Sequence, residues 1–441
     1  MIDVSTVSEL GNAGRALQVD RTAYLANLLN LRSPLPDGLS WLNDTRDCAA
    51  AHIPELAIPS TRDEEWRFTD LSPLLALQLQ TAQAATLDAT AIAPYRLPEA
   101  PIRLVFVDGH YAPELSATSE LPAQLFVGDL ASAAAAGLQD VIHRHLASQP
   151  GAEETFTALN SASFTNAAVI HLGKNQTVDV PVHLLFVATQ STAIAHPRCL
   201  VLAEPNSHLH LIEDYISTTA DSYFTNPVTE IWVAANAHVQ HTRIQRDGAT
   251  ALHIGKTAVT QARDSRYGCT AVSLGAVLSR HHLEIYQTGE QTDTQLRGLT
   301  LIRGKQVADT HSLISYTKPH GTGNQLHKCI VDDNAHAVFN GRIMVPQAAQ
   351  MTDARQLGKA LLLSPKARVD MKPQLEITAD NVKCAHGATV SQLENDEVFY
   401  LQSRGIDQAQ AVRMLTYAFA YEVIEAIAVA SLRDTLLQHA T

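Results

Sequence analysis

The run Lys383-Cys384-Ala385-His386-Gly387-Ala388-Thr389-Val390 holds the residues best suited to chemistry. On a strand, Cys384 and His386 project from the same face, because side chains alternate with a period of two. A thiol beside an imidazole suits soft or borderline metals such as iron or copper. The plainer reading is a buried cysteine followed by a turn histidine before Gly387. Neither residue has a full ligand set around it in the sequence. The five cysteines, Cys48, Cys199, Cys269, Cys329 and Cys384, form no Cys-x-x-Cys pair. Neither a zinc knuckle nor a private four-cysteine cluster site can be read from them.

The remaining motifs are weaker. Gly255-Lys256-Thr257 looks like the end of a phosphate-binding loop, but Thr250 stands where the first glycine is needed. No bound nucleotide is expected, so any ATP used must be hydrolysed by a partner. His208 and His210 share a face of a strand, as do His143 and His145 if extended; His281 and His282 point to opposite sides. Such pairs are more often surface or satisfied core than ligands. Asp309 and His311 share a face and are placed to form an ion pair. There is no Gly-x-Ser-x-Gly elbow and no His-Glu-x-x-His.

Composition narrows the class. A net charge of −13 and a pI near 5.8 argue against nucleic-acid binding. With 46% hydrophobic residues, the 441-residue chain can bury a sizeable core. No apolar run reaches the ~18 residues that would mark a membrane span. Met1 to Gly14 carries Asp3 and Glu9 and no apolar core, so it does not read as a signal peptide. Scattered, unpaired cysteines fit a reducing compartment, and a cytoplasmic location is expected.

The elements that must hold Cys384 and His386 can be read around them. Arg21 to Leu31 has helical spacing at Tyr24, Leu25, Leu28 and Leu29. A short helix is expected near Thr61 to Phe68, capped by Ser60 or Thr61. Ala82 to Ala93 reads as a linker, Ile102 to Gly109 as a buried strand ending in a turn, and Ala131 to Ala147 as helical. From about Ala167 to Val390 short strands repeat between Asn, Asp, Gly and Pro. Asn206-Ser207-His208-Leu209 returns as Asn236-Ala237-His238-Val239. Asn334-Ala335-His336-Ala337 and Pro365-Lys366-Ala367-Arg368 stand about one such interval apart. Degenerate repeats of this kind predict stacked coils, with a sandwich as the competing architecture. Asp407 to Leu437 is amphipathic, with a stripe of Ala411, Met414, Leu415, Ala418, Phe419, Val423, Ile424 and Ile427.

In sequence order, several segments resemble the SufB/SufD family of iron–sulfur cluster assembly scaffolds, on its SufD side. They begin with Asp63-Glu64-Glu65-Trp66-Arg67-Phe68-Thr69-Asp70-Leu71. His336 to Ile343, Thr352-Asp353-Ala354-Arg355-Gln356, Leu361 to Ser364 and Pro373 to Ile377 follow. Lys383 to Val390 and Phe399-Tyr400-Leu401 to Arg404-Gly405 complete the set. Gly387 stands where SufB typically has glutamate, and Arg355 where an asparagine is common.

The resemblance implies a mainly β chain, a right-handed parallel β-helix flanked by helical domains. The expected division is 1–165, mostly helical; 166–395, the β-helix; and 396–441, a helical domain docking an ATPase partner. It implies a complex with SufB through the β-helix and with two copies of the ATPase SufC, docked around Arg404, Gly405, Ile406, Met414, Leu415 and Phe419. It also makes Cys384 and His386 the contribution to a cluster-assembly interface, holding iron or a transient iron–sulfur cluster shared with SufB. This chain would be a non-catalytic scaffold subunit. A homodimer is expected when SufB is absent, and flavin binding is left open. Two rivals stand beside this reading: a stand-alone β-helix enzyme acting on polysaccharide, and a purely structural scaffold with all ligands supplied by SufB.

Overall fold

The computed structural model describes residues 19–119 and 121–439; the reading of Met1 to Gly14 lies outside them. In chain order the main strands are β1 (Ile102–Val107), β2 (Leu125–Asp129), β3 (Ala168–Leu172), β4 (Val182–Ala188), β5 (Arg198–Ala203) and β6 (His208–Ser217). Next come β7 (Val228–Val233), β8 (His238–Arg246), β9 (Leu252–Gln261), β10 (Arg266–Ser273), β11 (Leu278–Gln287) and β12 (Asp293–Ile302). The last are β13 (Val307–Tyr316), β14 (Thr322–Val331), β15 (His336–Val345), β16 (Asp353–Leu362), β17 (Arg368–Ile377) and β18 (Lys383–Gln392). One sheet runs β17-β15-β13-β11-β9-β7-β5-β3-β2 and the other β18-β16-β14-β12-β10-β8-β6-β4-β1. From β5 onward the chain alternates between the sheets, and neighbours within each are parallel. This is a parallel β-solenoid, as the repeats predict, and not a sandwich.

The repeated asparagines explain the corners. Asn175, Asn206 and Asn236 have φ of 58°, 59° and 59°, a region that Asn tolerates better than most residues. Their side chains form a ladder: Asn236 Nδ2 donates to Asn206 Oδ1 and Asn206 Nδ2 to Asn175 Oδ1, each at 2.8 Å. His208 and His238 of the same repeat are register partners and stack with ring centroids 4.5 Å apart. His336 and Arg368 are likewise paired.

Alternation fixes what faces the lumen. One inward column of the second sheet runs Leu211, His241, Cys269, Leu296, Gln325, Gln356 and His386. The adjacent inward column runs Tyr267, Thr294, Gly323, Ala354 and Cys384. The lumen mixes apolar and polar side chains, and one polar group is buried near its middle. His241 Nε2 lies 2.9 Å from Glu213 Oε2, Thr229 donates to Glu213, and Cys269 Sγ lies 3.9 Å from His241 Nδ1.

Sheets also begin earlier in the chain than residue 166. β1 pairs with β4 in parallel, and β2 closes the other sheet against β3 in antiparallel fashion. The helices before residue 166 include α1 (Arg21–Asn30), α2 (Asn43–His52), α3 (Leu130–Ala135), α4 (Gln139–His145) and α5 (Thr155–Ser163). The helix expected over Ala131 to Ala147 is two, broken at Gly137 with φ of 81°. His143 and His145 are therefore helical, not extended. The short helix expected near Thr61 is a single tight turn, Glu64–Trp66.

The tail forms α6 (Asn395–Gln402), α7 (Gln408–Ile424) and α8 (Ala430–Gln438). Ala420, Val423 and Ile424 bury against Ile212, Ile244, Val272, Leu299 and Ile330 on the outer face of the second sheet. Each fully buried Val, Leu or Ile side chain among them contributes about 1.5–3 kcal/mol. The stripe read from sequence is only partly the packed one. Ala411 is buried, whereas Met414 is 44% exposed and Leu415 and Phe419 are half-buried. The helix is apolar around more of its circumference than a single sheet face can cover.

Candidate functional site

Cys384 and His386 lie within β18, at the last rung of the solenoid. His386 is a strand residue and not a turn residue. Both occupy lumen-facing columns, but among the described residues the rung has no successor: each sheet ends at β17 or β18. Their inward neighbours, Ala354 and Gln356, are buried at 0% and 2% exposure, while Cys384 is half-buried and His386 exposed. The two residues thus stand at an open mouth of the lumen. Burial, together with the negative charge of Asp353, raises the Cys384 thiol above its ordinary value. Without a metal or a cationic neighbour it stays a thiol at neutral pH.

Exposed apolar side chains lie on and beside the last two rungs. Leu357, Val390 and Met351 are 37%, 50% and 51% exposed. Among the described residues, no strand pairs with the outward edges of β17 and β18, which leaves a template for another strand. Beyond them, Phe399 and Tyr400 of α6 are also exposed.

Of the proposed ATPase-docking residues, Arg404, Gly405 and Ile406 form the α6–α7 turn, and Met414, Leu415 and Phe419 lie further along α7. Arg404 stacks over Tyr400 with its guanidinium 5.2 Å from the ring centroid. Gly405 has φ of 85°, which suits glycine in the tight turn before Ile406. Asp407 caps α7 through the Gln410 N–H at 2.9 Å. Met414 lies on the open face of α7, and Phe419 is held from below by Lys328, whose Nζ lies 4.3 Å from the ring centroid. The turn, Met414 and Leu415 are thus presented on a helix that is anchored elsewhere.

Two other groups of polar residues have different roles. Lys256 lies within strand β9 and not in a phosphate loop. Among the described residues, Glu154, His282 and Glu284 bring metal-type donor atoms within 4.8 Å of one another. Lys256 Nζ already sits there, 3.1 Å from Glu154 and 2.6 Å from Glu284. Burial pulls the His282 imidazole down, but the two carboxylates outweigh it and hold it above its ordinary value. This is a closed ion-pair network bordering a cavity of about 260 Å³ walled by Trp66, Phe156 and Ile254.

The second group explains the segment around Trp66. Glu64 pairs with Lys372 at 2.7 Å and Glu65 with His311 at 3.1 Å. Arg280 lies 4.0 Å over the Trp66 ring, and Thr69 donates to Asp309 at 2.5 Å. Asp309 also pairs with Arg280 and, at 3.0 Å, with His311. Asp63 to Leu71 is therefore a clip across the outer face of β11, β13 and β17. Sequence reasoning found the Asp309–His311 pair but not its partners, which lie far apart in the chain.

The site read from sequence lacked its inner layer. Gln356 and Gln325 stand behind His386 in one column; Gln356 closes the Thr352 to Gln356 segment, whereas Gln325 carries no sequence signal beyond its spacing of about one coil.

Comparison with known proteins gives two family matches. Residues 186–419 match the SUF system FeS cluster assembly, SufBD core domain, and residues 36–184 match the SufBD protein N-terminal region. The chain is 45% identical over 410 residues to an iron–sulfur cluster assembly SufBD family protein of Synechocystis sp., covering 90% of each chain. It is 32% identical to iron–sulfur cluster assembly protein SufD of Escherichia coli, over 88% of this chain and 90% of that one. It is also 32% identical to Protein ABCI7, chloroplastic, of Arabidopsis thaliana, over 93% and 90%.

Proposed function

The chain belongs to the SufBD family of SUF-system iron–sulfur cluster assembly proteins, and we propose from this that it is the SufD-type scaffold subunit of a complex with SufB and the ATPase SufC. Iron and sulfur are the cargo. The observation that supports the reading is the position of Cys384 and His386 on the last rung, whose two ten-residue strands have no outer neighbour among the described residues. A partner solenoid laid against β17 and β18 would close the mouth and bring its own ligands to face them. One chain lacks a full donor set at this place, so a shared site matches the chemistry. Neutral imidazole can ligate iron, and the Cys384 thiol loses its proton when a metal binds.

SufC would dock on the turn and open face formed by Arg404, Gly405, Ile406, Met414, Leu415 and Phe419. Movement there would reach the solenoid through Ala420, Val423 and Ile424. The chain itself hydrolyses nothing in this scheme, and its place of work is the cytoplasm.

Co-expression with the cognate SufB and SufC tests the assembly. One SufB and two SufC per copy are expected in the captured complex. Recovery of this chain alone, beside folded SufB and SufC, would overturn the reading. His386→Ala then separates ligand from pure scaffold. A large drop in cluster yield within an intact complex is expected, and full yield would favour the structural version.

A further inference from the structure

Gln356 is one rung inward from His386 in the same lumen-facing column and is 2% exposed. Its Nε2 donates to Gln325 Oε1 at 2.8 Å, and Gln325 Nε2 donates to Ser312 Oγ at 2.7 Å. This relay orients the Gln356 amide: its N–H end is engaged with Gln325, so the carbonyl end is left over. Gln356 Oε1 is fully buried and has no hydrogen-bond partner among the described residues. A buried acceptor without a donor is costly and uncommon.

The opposite wall is shaped around this amide. A Cβ on Gly341 would stand 2.1 Å from Gln356 Nε2 and 2.6 Å from its Cδ. Any side chain at residue 341 would therefore push the amide out of its place. Gly341 and Gln356 both fall in segments singled out in the sequence, and neither is used by the reading so far. The donor next in line along the column is the His386 ring, about 4.8 Å away at the backbone, the spacing of paired strands.

We propose that Gln356 is a positioning residue for His386. The ring does not reach this acceptor in the structure; a turn of the exposed His386 side chain would let Oε1 accept the imidazole N–H, fixing one tautomer and leaving the other ring nitrogen free to donate its lone pair to iron. Histidine ligands are commonly held in this way by a second acceptor. The inference rests on the reading of His386 as a ligand, and its test is built to fail separately.

The experiment uses the full chain with ring-¹⁵N-labelled histidine at pH 8, where a free imidazole is neutral. The His386 signals are identified by their loss in His386→Ala. Wild type is expected to show one dominant tautomer, and Gln356→Met a mixture. Ser312→Ala, which loosens the far end of the relay, is expected to move the populations in the same direction by less. It also serves as the deciding variant should Gln356→Met fail to fold. Unchanged tautomer populations in the folded variants would overturn the proposal.

Cluster yield in the complex supplies the second arm. Gln356→Met is expected to lower it about tenfold, the low end for loss of such a partner, and to have no further effect in the His386→Ala background. An additive loss there would overturn the proposal. If His386→Ala alone changes nothing, the ligand reading fails, and the tautomer data still decide whether Gln356 orients the ring.

Discussion

Asp309 shows how much one buried carboxylate can organise. It accepts from Thr69, pairs with Arg280 and His311, and is itself 2% exposed. Burial alone would raise its carboxyl, but Arg280 and His311 outweigh that and hold it well below the ordinary range. Asp309→Asn keeps the shape and removes the charge, which leaves Arg280 buried without its counter-ion. The expected cost is about 3–5 kcal/mol, read as a lower urea midpoint. It should be accompanied by earlier proteolytic cutting between Pro59 and Leu71, because the clip loses its anchor. A midpoint equal to wild type would show that the clip does not depend on this charge.

At the scale of the element, α7 divides its labour by face. Ile424→Ala removes a side chain that is 1% exposed and should cost about 2–5 kcal/mol. Met414→Asp lies on the open face, so thermal stability should change by no more than about 0.5 kcal/mol while capture of the ATPase partner falls. Equal loss of stability in both variants would refute the division. The sequence made α7 legible as a helix, but its apolar positions did not say which of them meets the sheet. That is set by the outer face of β6 to β14, which lies far away in the chain. The coils were legible for a local reason: corner asparagines recur because each must adopt the same left-handed turn. Cys384 and His386 were found because two residues on one strand share a face. Gln325 and Gln356 were not, since their alignment exists only once the register of β14, β16 and β18 is known. The break at Gly137 shows the opposite limit, where one glycine outweighs an alanine-rich helical pattern.

For the molecule as a whole, the polar group inside the lumen sets a pH window. Burial raises the Glu213 carboxyl, yet His241 and Arg243 outweigh it and hold it at about 2. Burial lowers His241, yet Cys269 and Glu213 hold it at about 9. The contribution of Glu213 is complete above its ordinary value of 4.5 and is lost as pH falls through about 2. That of His241 is complete below its ordinary 6.5 and is lost as pH rises through about 9. Thermal midpoints should therefore be highest between these two ordinary values and fall on both sides. In Glu213→Gln the acid limb should flatten and the alkaline limb should start at lower pH. A variant with unshifted limbs would place the source of the pH dependence elsewhere.

The two ends of the solenoid are unlike. One stops at ten-residue parallel edges; the other is finished by five-residue β2 and by His110–Tyr111, both running antiparallel to their neighbours. A ten-residue edge cannot continue its register onto such a finish. Among the described residues a long parallel edge is found at one end only, so pairing of two solenoids is expected at β17 and β18 and not at the other end. Such edge pairing is expected to end in a closed pair, whether with a related subunit or with a copy of itself, and light scattering of the concentrated chain should show dimers and no fibres.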